Sequence, residues 1–253
     1  MAYSVIFRFY GHLNDLVPEP FRARAHRIDI KARRSVKDAV EGFGIPHVEV
    51  ARLRVNGEDV GWERVLERDE RVDVYPPSLS LVPEDGATLW TRPPEPVLFV
   101  ADVHLGRLAH YLRMLGFDTV YETPDPGDPQ LLATALKEDR VLLSQDRHLL
   151  MHGSLQHGCL LRSRDPIEQM KELIARYGLA RTARPFSRCM ECNTVLTKPE
   201  PTLLDQLPDK VQERYRNKPE ALRYCPTCAR AYWPGSHWDR MIGYLREWGV
   251  ALS

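Results

Sequence analysis

One stretch, residues 97–146, constrains the fold of this 253-residue chain more than any other. It opens on an apolar run, Val97-Leu98-Phe99-Val100-Ala101, that ends on Asp102. It closes on Val141-Leu142-Leu143, followed by Ser144-Gln145-Asp146. Short unbroken apolar runs suit strands buried on both faces, as in a parallel sheet. Between them Leu105, Leu108, Leu112 and Leu115 recur at helical spacing, and Gly116 is a natural C-terminal stop. Thr119-Val120-Tyr121 is the next strand, and Thr123-Pro124-Asp125-Pro126-Gly127 is turn chemistry. Asp128 suits the cap of a helix whose inner face is Leu131, Leu132, Ala135 and Leu136. Gly158-Cys159-Leu160-Leu161 predicts a fourth strand, and Asp165-Pro166 opens a helix through Ile167, Met170, Ile174 and Tyr177. Strands alternating with helices predict an α/β unit with a doubly wound, mostly parallel sheet and its site at the C-terminal ends of the strands.

Asp102, Asp128 and Asp146 each follow a strand or start a helix, so the topology carries them toward one edge. Hydrolysis of a phosphodiester must bring water to a negatively charged phosphorus and stabilise the departing oxygen. Divalent ions do both. Mg2+ and Mn2+ take oxygen ligands, so a protein that uses them supplies carboxylates. Arg107, Arg113 and Arg147 are candidates to hold substrate phosphates. Bland alternatives stand beside these: Asp128 as a plain N-cap, Arg113 as a structural ion pair.

Upstream, Val5-Ile6-Phe7-Arg8-Phe9-Tyr10 and the alternating His26-Arg27-Ile28-Asp29-Ile30 pair as strands. Ser35 caps a short helix through Val36, Ala39 and Val40. Leu53-Arg54-Val55 runs into an Asn56-Gly57 turn, and Arg71-Val72-Asp73-Val74-Tyr75 stops at Pro76-Pro77. Two strands, a helix and two strands make a small α+β unit that resembles the β-grasp fold of ubiquitin-like sulfur carriers. Those carriers act through a free C-terminal Gly-Gly; here the chain continues, which favours docking over sulfur chemistry. Arg22, Arg24, Arg27, Lys31, Arg33 and Arg34 form a basic run suited to phosphates or to guarding a solvated strand edge. Six prolines between residues 76 and 96 mark an extended linker.

Cys189-Met190-Glu191-Cys192 and Cys225-Pro226-Thr227-Cys228 have the spacing of two knuckles on one tetrahedral Zn2+. With all four positions filled by protein, such a site is structural, and it supplies folding energy to a segment with little core of its own. An insertion between the pairs, residues 205–215, is in part helical. Cys159, alone in an apolar run, is a buried thiol. Tyr232, Trp233 and Trp238, beside Arg230 and Arg240, suit either base stacking or a lid over the ribbon; the final helix carries Met241, Tyr244, Leu245 and Trp248. His237 is a reserve ligand should one cysteine fail.

Charge is balanced overall, 35 basic against 35 acidic residues, but not locally: residues 97–149 carry 5 Lys/Arg and 8 Asp/Glu, and residues 150–253 carry 16 and 11. An acidic centre beside a basic tail suits an enzyme that holds cations and approaches a polyanion. No run approaches the ~18 apolar residues of a membrane helix, and no secretory signal opens the chain. A cytoplasmic protein without membrane attachment is expected, with metal-binding thiols and not disulfides.

Phe99-Val100-Ala101-Asp102-Val103-His104-Leu105-Gly106-Arg107-Leu108-Ala109, the following Leu112-Arg113-Met114-Leu115-Gly116-Phe117-Asp118, and Arg140-Val141-Leu142-Leu143-Ser144-Gln145-Asp146-Arg147 together resemble the Mut-seven-C RNase family, a PIN-like nuclease group. That family carries a C-terminal zinc ribbon and often begins with a ubiquitin-like domain. The resemblance implies a ubiquitin-like β-grasp domain over residues 1–77, a linker over 78–96, a PIN-like nuclease domain over 97–182, and a zinc ribbon with a C-terminal helix over 183–253. It implies a ribonuclease acting on single-stranded RNA, with a protein partner docking through the ubiquitin-like domain. Asp102, Asp128 and Asp146 become the Mg2+- or Mn2+-binding acids, with Asp125 competing for the middle place and Ser144 in the position PIN-like proteins give a small hydroxyl residue. Family members often have Thr-Arg-Asp where this chain has Ser144-Gln145-Asp146, which puts the contact beside the acid in doubt. Two alternatives remain: a non-catalytic RNA- or ribosome-associated protein, and a metallophosphoesterase. The latter rests on Ala101-Asp102-Val103-His104-Leu105-Gly106, which is similar to the first box of the calcineurin-like enzymes, but their Gly-Asn-His box is missing.

Overall fold

A computed structural model describes residues 3–77, 88–200, 207, 209–215, 221–235 and 238–251. The first sheet joins β1 (Tyr3–Phe9), β2 (His26–Ile30), β3 (Arg52–Val55), β4 (Glu58–Asp59) and β5 (Arg71–Tyr75) in the order β2-β1-β5-β3-β4. Only the β1–β5 pair is parallel. A short helix, α1 (Leu13–Leu16), follows β1, and α2 (Val36–Glu41) follows β2. Ser35 caps α2, its hydroxyl accepting from the Asp38 N–H at 3.1 Å. Asn56 and Gly57 both adopt positive φ, 52° and 89°, as the tight β3–β4 turn demands. Alternation along β1 sends Val5, Phe7 and Phe9 inward against Val36 and Val40 of α2. This is the β-grasp arrangement. The basic run ends up on and around β2, an edge strand, with Lys31, Arg33 and Arg34 exposed.

The second sheet is parallel throughout, β7-β6-β8-β9, from β6 (Phe99–Ala101), β7 (Thr119–Val120), β8 (Val141–Ser144) and β9 (Gly158–Leu160). Its crossovers are α3 (Gly106–Met114) and α4 (Asp128–Glu138); the short α5 (Arg147–Leu150) follows β8 and α6 (Pro166–Tyr177) follows β9. Unbroken apolar strands are explained by cover on both faces. Phe99, Ala101, Val141, Leu143 and Cys159 pack with α3, α6 and α8 (Trp238–Glu247). Val100, Leu142 and Leu160 pack with Leu131 and Ala135 of α4, Leu149 and Leu150 of α5, and the core of the N-terminal unit. The β-grasp unit thus covers part of a sheet face that a further helix would otherwise have to cover. Leu136, expected on the inner face of α4, is instead 44% exposed: α4 makes its contact through Leu131 and Ala135, with Leu132 beside them, and Leu136, about 100° further round the helix than Ala135, turns away from that stripe.

Residues 78–87 of the expected linker lie outside the described residues. The part from 88 onward has no regular structure but is not free. The Leu89 N–H donates to the Ala51 carbonyl at 2.7 Å, and Trp90, 6% exposed, packs near Tyr177 of α6. Proline denied it a ladder, yet Leu89 and Trp90 gave it apolar surface to bury.

The insertion between the cysteine pairs forms α7 (Asp209–Tyr215), whose Val211 and Tyr215 make a small cluster with Leu222. In the final helix α8, Ile242 and Leu245 join the core beneath α3, with Trp238, Met241 and the knuckle's Met190 packed against it, and Tyr244 and Trp248 each meet Tyr111 of α3 at 5.5 Å.

Candidate active site and metal centre

Asp102 stands where β6 ends. Its N–H donates to the Leu143 carbonyl of β8 at 3.0 Å, and its own carbonyl accepts from Leu105 at 2.9 Å, which turns the chain into a 3-10 turn ahead of α3. Ser144 closes the neighbouring strand. Its buried hydroxyl donates to Asp102 Oδ2 at 2.7 Å and accepts from the Asp146 N–H at 2.9 Å. One side chain therefore joins the first acid to the backbone of the last. Asp146 Oδ1 accepts from the His148 N–H at 2.7 Å and caps α5, while the residue stays exposed.

Asp128 is the first residue of α4 and not its cap; Gly127, at φ 81°, takes the cap position. A positive φ suits glycine, so the cap falls one residue earlier than the sequence pattern suggests. Asp125 Oδ1 accepts from the Gly127 N–H at 2.8 Å and shapes that turn. Asp128 is exposed with no hydrogen-bond partner among the described residues. Of the two competing acids, Asp125 is occupied and Asp128 is free. As a group the three aspartates do not come within 4.8 Å of one another. Among the described residues the four cysteines are the one cluster of His, Cys, Asp or Glu that does. His104 is exposed and joins no such cluster.

The arginines part company. Arg107 is exposed on the first turn of α3 with no hydrogen-bond or ion-pair partner among the described residues. Arg113 is 3% exposed and donates to the carbonyls of Thr119, Met190 and Glu191. It ties α3 and β7 to the first cysteine knuckle, and its guanidinium has no face left for a phosphate. Arg147 donates from Nη1 to the carbonyls of Leu16 at 2.9 Å and Gly44 at 3.2 Å, bracing the N-terminal unit.

The cysteine sulfurs approach one another at 3.5 Å (Cys189–Cys228) and 3.3 Å (Cys192–Cys225). Bonded disulfides stand at about 2.05 Å. Four thiolates about 2.3 Å from one zinc are roughly 3.8 Å apart by tetrahedral geometry, so the donor set fits zinc with little movement. Tyr232 sits 3.0 Å from Cys189 Sγ through its hydroxyl. The knuckle is anchored to the sheet by Asn193, at φ 68°: its amide donates to Asp118 Oδ1 at 2.9 Å and its carbonyl oxygen accepts from Thr119 N–H at 3.1 Å. Burial pushes the Asp118 carboxyl up, but hydrogen bonds from Asn193 and Arg140 outweigh it and hold the group below its ordinary value. Gly116 lies under the same join; a Cβ there would meet the Arg184 carbonyl at 2.3 Å.

Of the aromatics after the second knuckle, Trp238 stacks on Phe186 at 4.4 Å while Trp233 remains 36% exposed. His237 lies outside the described residues. Cys159 is fully buried, and burial drives its thiol well above the ordinary value.

Sequence reasoning missed the join between the two sheets. Glu49, 0% exposed, receives both oxygens' worth of contact from Arg176 Nη1 at 2.8 and 2.7 Å, with His12 Nε2 at 2.8 Å and the Leu160 N–H at 2.7 Å. Burial would raise this carboxyl. The Arg176 charge and the His12 hydrogen bond overcome it and hold the value at about 2. No local pattern announces a pair 127 residues apart.

The fold and the site define an α/β protein with an acidic strand edge, a cluster of four cysteines placed to hold a metal ion and a fused β-grasp unit. The chain belongs to the Mut7-C RNAse domain family, whose model matches residues 97–245; a second model, the Mut7-C ubiquitin domain, matches residues 2–82. No curated protein and no solved structure matches the chain. Among the described residues no helix is long and apolar enough to cross a membrane.

Proposed function

We propose that this protein is a divalent-metal-dependent ribonuclease that hydrolyses phosphodiester bonds of single-stranded RNA at Asp102, Asp128 and Asp146. The observation that carries it is the Ser144 hydroxyl, which fixes the Asp102 carboxylate against the Asp146 backbone at the C-terminal ends of two parallel strands. Open parallel sheets place ligands there. A divalent ion bound at this edge supplies Lewis acidity at the phosphate. The residues fit it: oxygen donors only, with Asp128 free. Mg2+ keeps several waters and is held by one or two carboxylates directly, so the spread of the three acids is compatible with contacts through water. Asp102 and Asp146 would hold the ion, with Ser144 orienting Asp102; Asp128, exposed at the start of α4, would complete the set, and the exposed Arg107 would approach the strand.

Zinc in the cysteine module is structural, and the reducing cytoplasm keeps its thiols available. The N-terminal unit serves as a docking surface for a protein partner on the faces it does not commit to the sheet. The test is cleavage of labelled single-stranded RNA in Mn2+, in Mg2+ and in EDTA, with a small phosphate ester alongside. Metal-dependent cutting of RNA alone supports the proposal. Binding without cutting favours an RNA-associated protein, and hydrolysis of the ester alone favours a phosphoesterase.

A further inference from the structure

The β-grasp unit and the parallel sheet enclose between them a cleft of about 300 Å3. Asp15 and Leu16 form one wall, and Gln145, Arg147, Arg162 and Arg164 line the other. Gln145 and Arg147 flank Asp146, and Arg162 and Arg164 follow β9, so the cleft opens beyond the C-terminal ends of β8 and β9. Three guanidinium groups line it against the single carboxylate of Asp15, which leaves an excess of positive charge at the acidic edge's flank. The three are not equivalent. Arg147 is held by backbone carbonyls. Arg162 is shared between Asp15 across the domain join and Glu172 of α6. Arg164 is exposed and has no partner among the described residues. A guanidinium left without a carboxylate beside a polar cleft is suited to a phosphate, which it can grip with two parallel N–H donors.

We propose that this cleft holds a backbone phosphate of the RNA strand on its way to Asp146, with Arg164 as the principal contact, Arg162 as the second, and the β-grasp unit as one wall of the substrate site. The inference rests on the ribonuclease reading for its ligand. It assigns the N-terminal unit a share in the enzyme's own substrate binding, in addition to any partner it docks. Asp15 sets the strength of the site: it holds Arg162 in place but takes part of its charge, and a phosphate entering the cleft competes with it.

The experiment is fluorescence anisotropy of a labelled single-stranded RNA on the full zinc-loaded chain, across a salt series, with cleavage followed in parallel in Mn2+. Arg164→Ala is expected to weaken binding about 5- to 10-fold and to flatten the slope of log affinity against log salt by about 0.7, the loss of one single-strand phosphate contact. Arg164→Lys keeps the charge and recovers most of the slope. Asp15→Asn, which removes a negative charge, binds more tightly than the parent, an outcome that a merely damaged fold does not produce. If the parent binds and cuts RNA while Arg164→Ala and Asp15→Asn match it in affinity and slope, the cleft assignment is wrong and the ribonuclease stands. Should the parent bind without cutting and the variants shift as expected, the cleft stands and the ribonuclease falls. A parent that does not bind RNA overturns both. Inorganic phosphate displacing the RNA far more effectively than matched ionic strength would give the cleft to a free phosphate and overturn its assignment to the strand.

Discussion

At the scale of single residues, Ser144 has the most work to do for its size. Its hydroxyl is buried, donates to Asp102 and accepts from Asp146 N–H. Ser144→Ala removes both hydrogen bonds of that hydroxyl, at a cost of about 1–2 kcal/mol, which a urea titration reads as a lowered midpoint. RNA cleavage falls further than this destabilisation accounts for, because the Asp102 carboxylate loses its only side-chain partner among the described residues. Activity unchanged at full folding would remove Ser144 from the site. Glu49 makes a different prediction. Its carboxyl is held at about 2 against an ordinary 4.5, so the folded state favours its ionised form. That stability is fully present above pH 4.5 and is lost as pH falls toward 2, on the order of 3 kcal/mol in all. Glu49→Gln strands the buried Arg176 charge and costs about 3–5 kcal/mol at neutral pH, and the variant's stability loses the parent's dependence on pH in that acid range. Unfolding curves at a series of pH values check both.

At the scale of elements, the cysteine module reads as a clamp on α3 and β7. Arg113 reaches the carbonyls of Met190 and Glu191, and Asn193 bonds Asp118 and Thr119. A zinc ion held by the four cysteines would therefore also order β7, the strand beside β6. One zinc per chain is expected by elemental analysis, and Cys192→Ser or a strong chelator should lower the melting temperature of the parallel-sheet unit and not only loosen the module. A chelated protein that melts at the parent's temperature would show the clamp to be idle. Much of this level was legible from local pattern. The cysteine spacing, the apolar runs of β6 and β8, the Ser35 and Asp165 caps and the Asn56-Gly57 turn are all signals carried within a few residues. What was hidden depends on long range. Arg113 and Arg147 look like substrate ligands in sequence because the carbonyls that engage them lie 77 and 131 residues away. Leu136 looks internal because apolar type alone does not say how wide the buried stripe of a helix is. The Gly127 cap was masked by Asp128, the better capping residue by type but the wrong one by backbone angle.

At the scale of the molecule, the β-grasp unit is part of one shared architecture with the α/β sheet and not a tethered appendage. One apolar cluster runs from Phe7 and Val40 through Val48 to Leu142 and Leu160, and the Glu49–Arg176 pair, the His47–Leu155 contact at 2.9 Å and the Arg162–Asp15 pair are fastened across it. Such a shared core predicts a single unfolding transition by calorimetry, with a fragment lacking residues 1–96 exposing apolar sheet and aggregating; two resolved transitions would argue for independent domains. The shared architecture also holds the acidic edge in place, and on that edge the account stands or falls. The most direct measurement is the single-turnover cleavage rate of single-stranded RNA in Mn2+ by the parent and by Asp102→Asn, each shown to be folded and zinc-loaded. Metal-dependent cutting by the parent and a loss of about 100-fold or more in the variant are expected, since an ion's several kcal/mol of transition-state stabilisation is at stake. Equal rates from the two proteins would contradict this expectation.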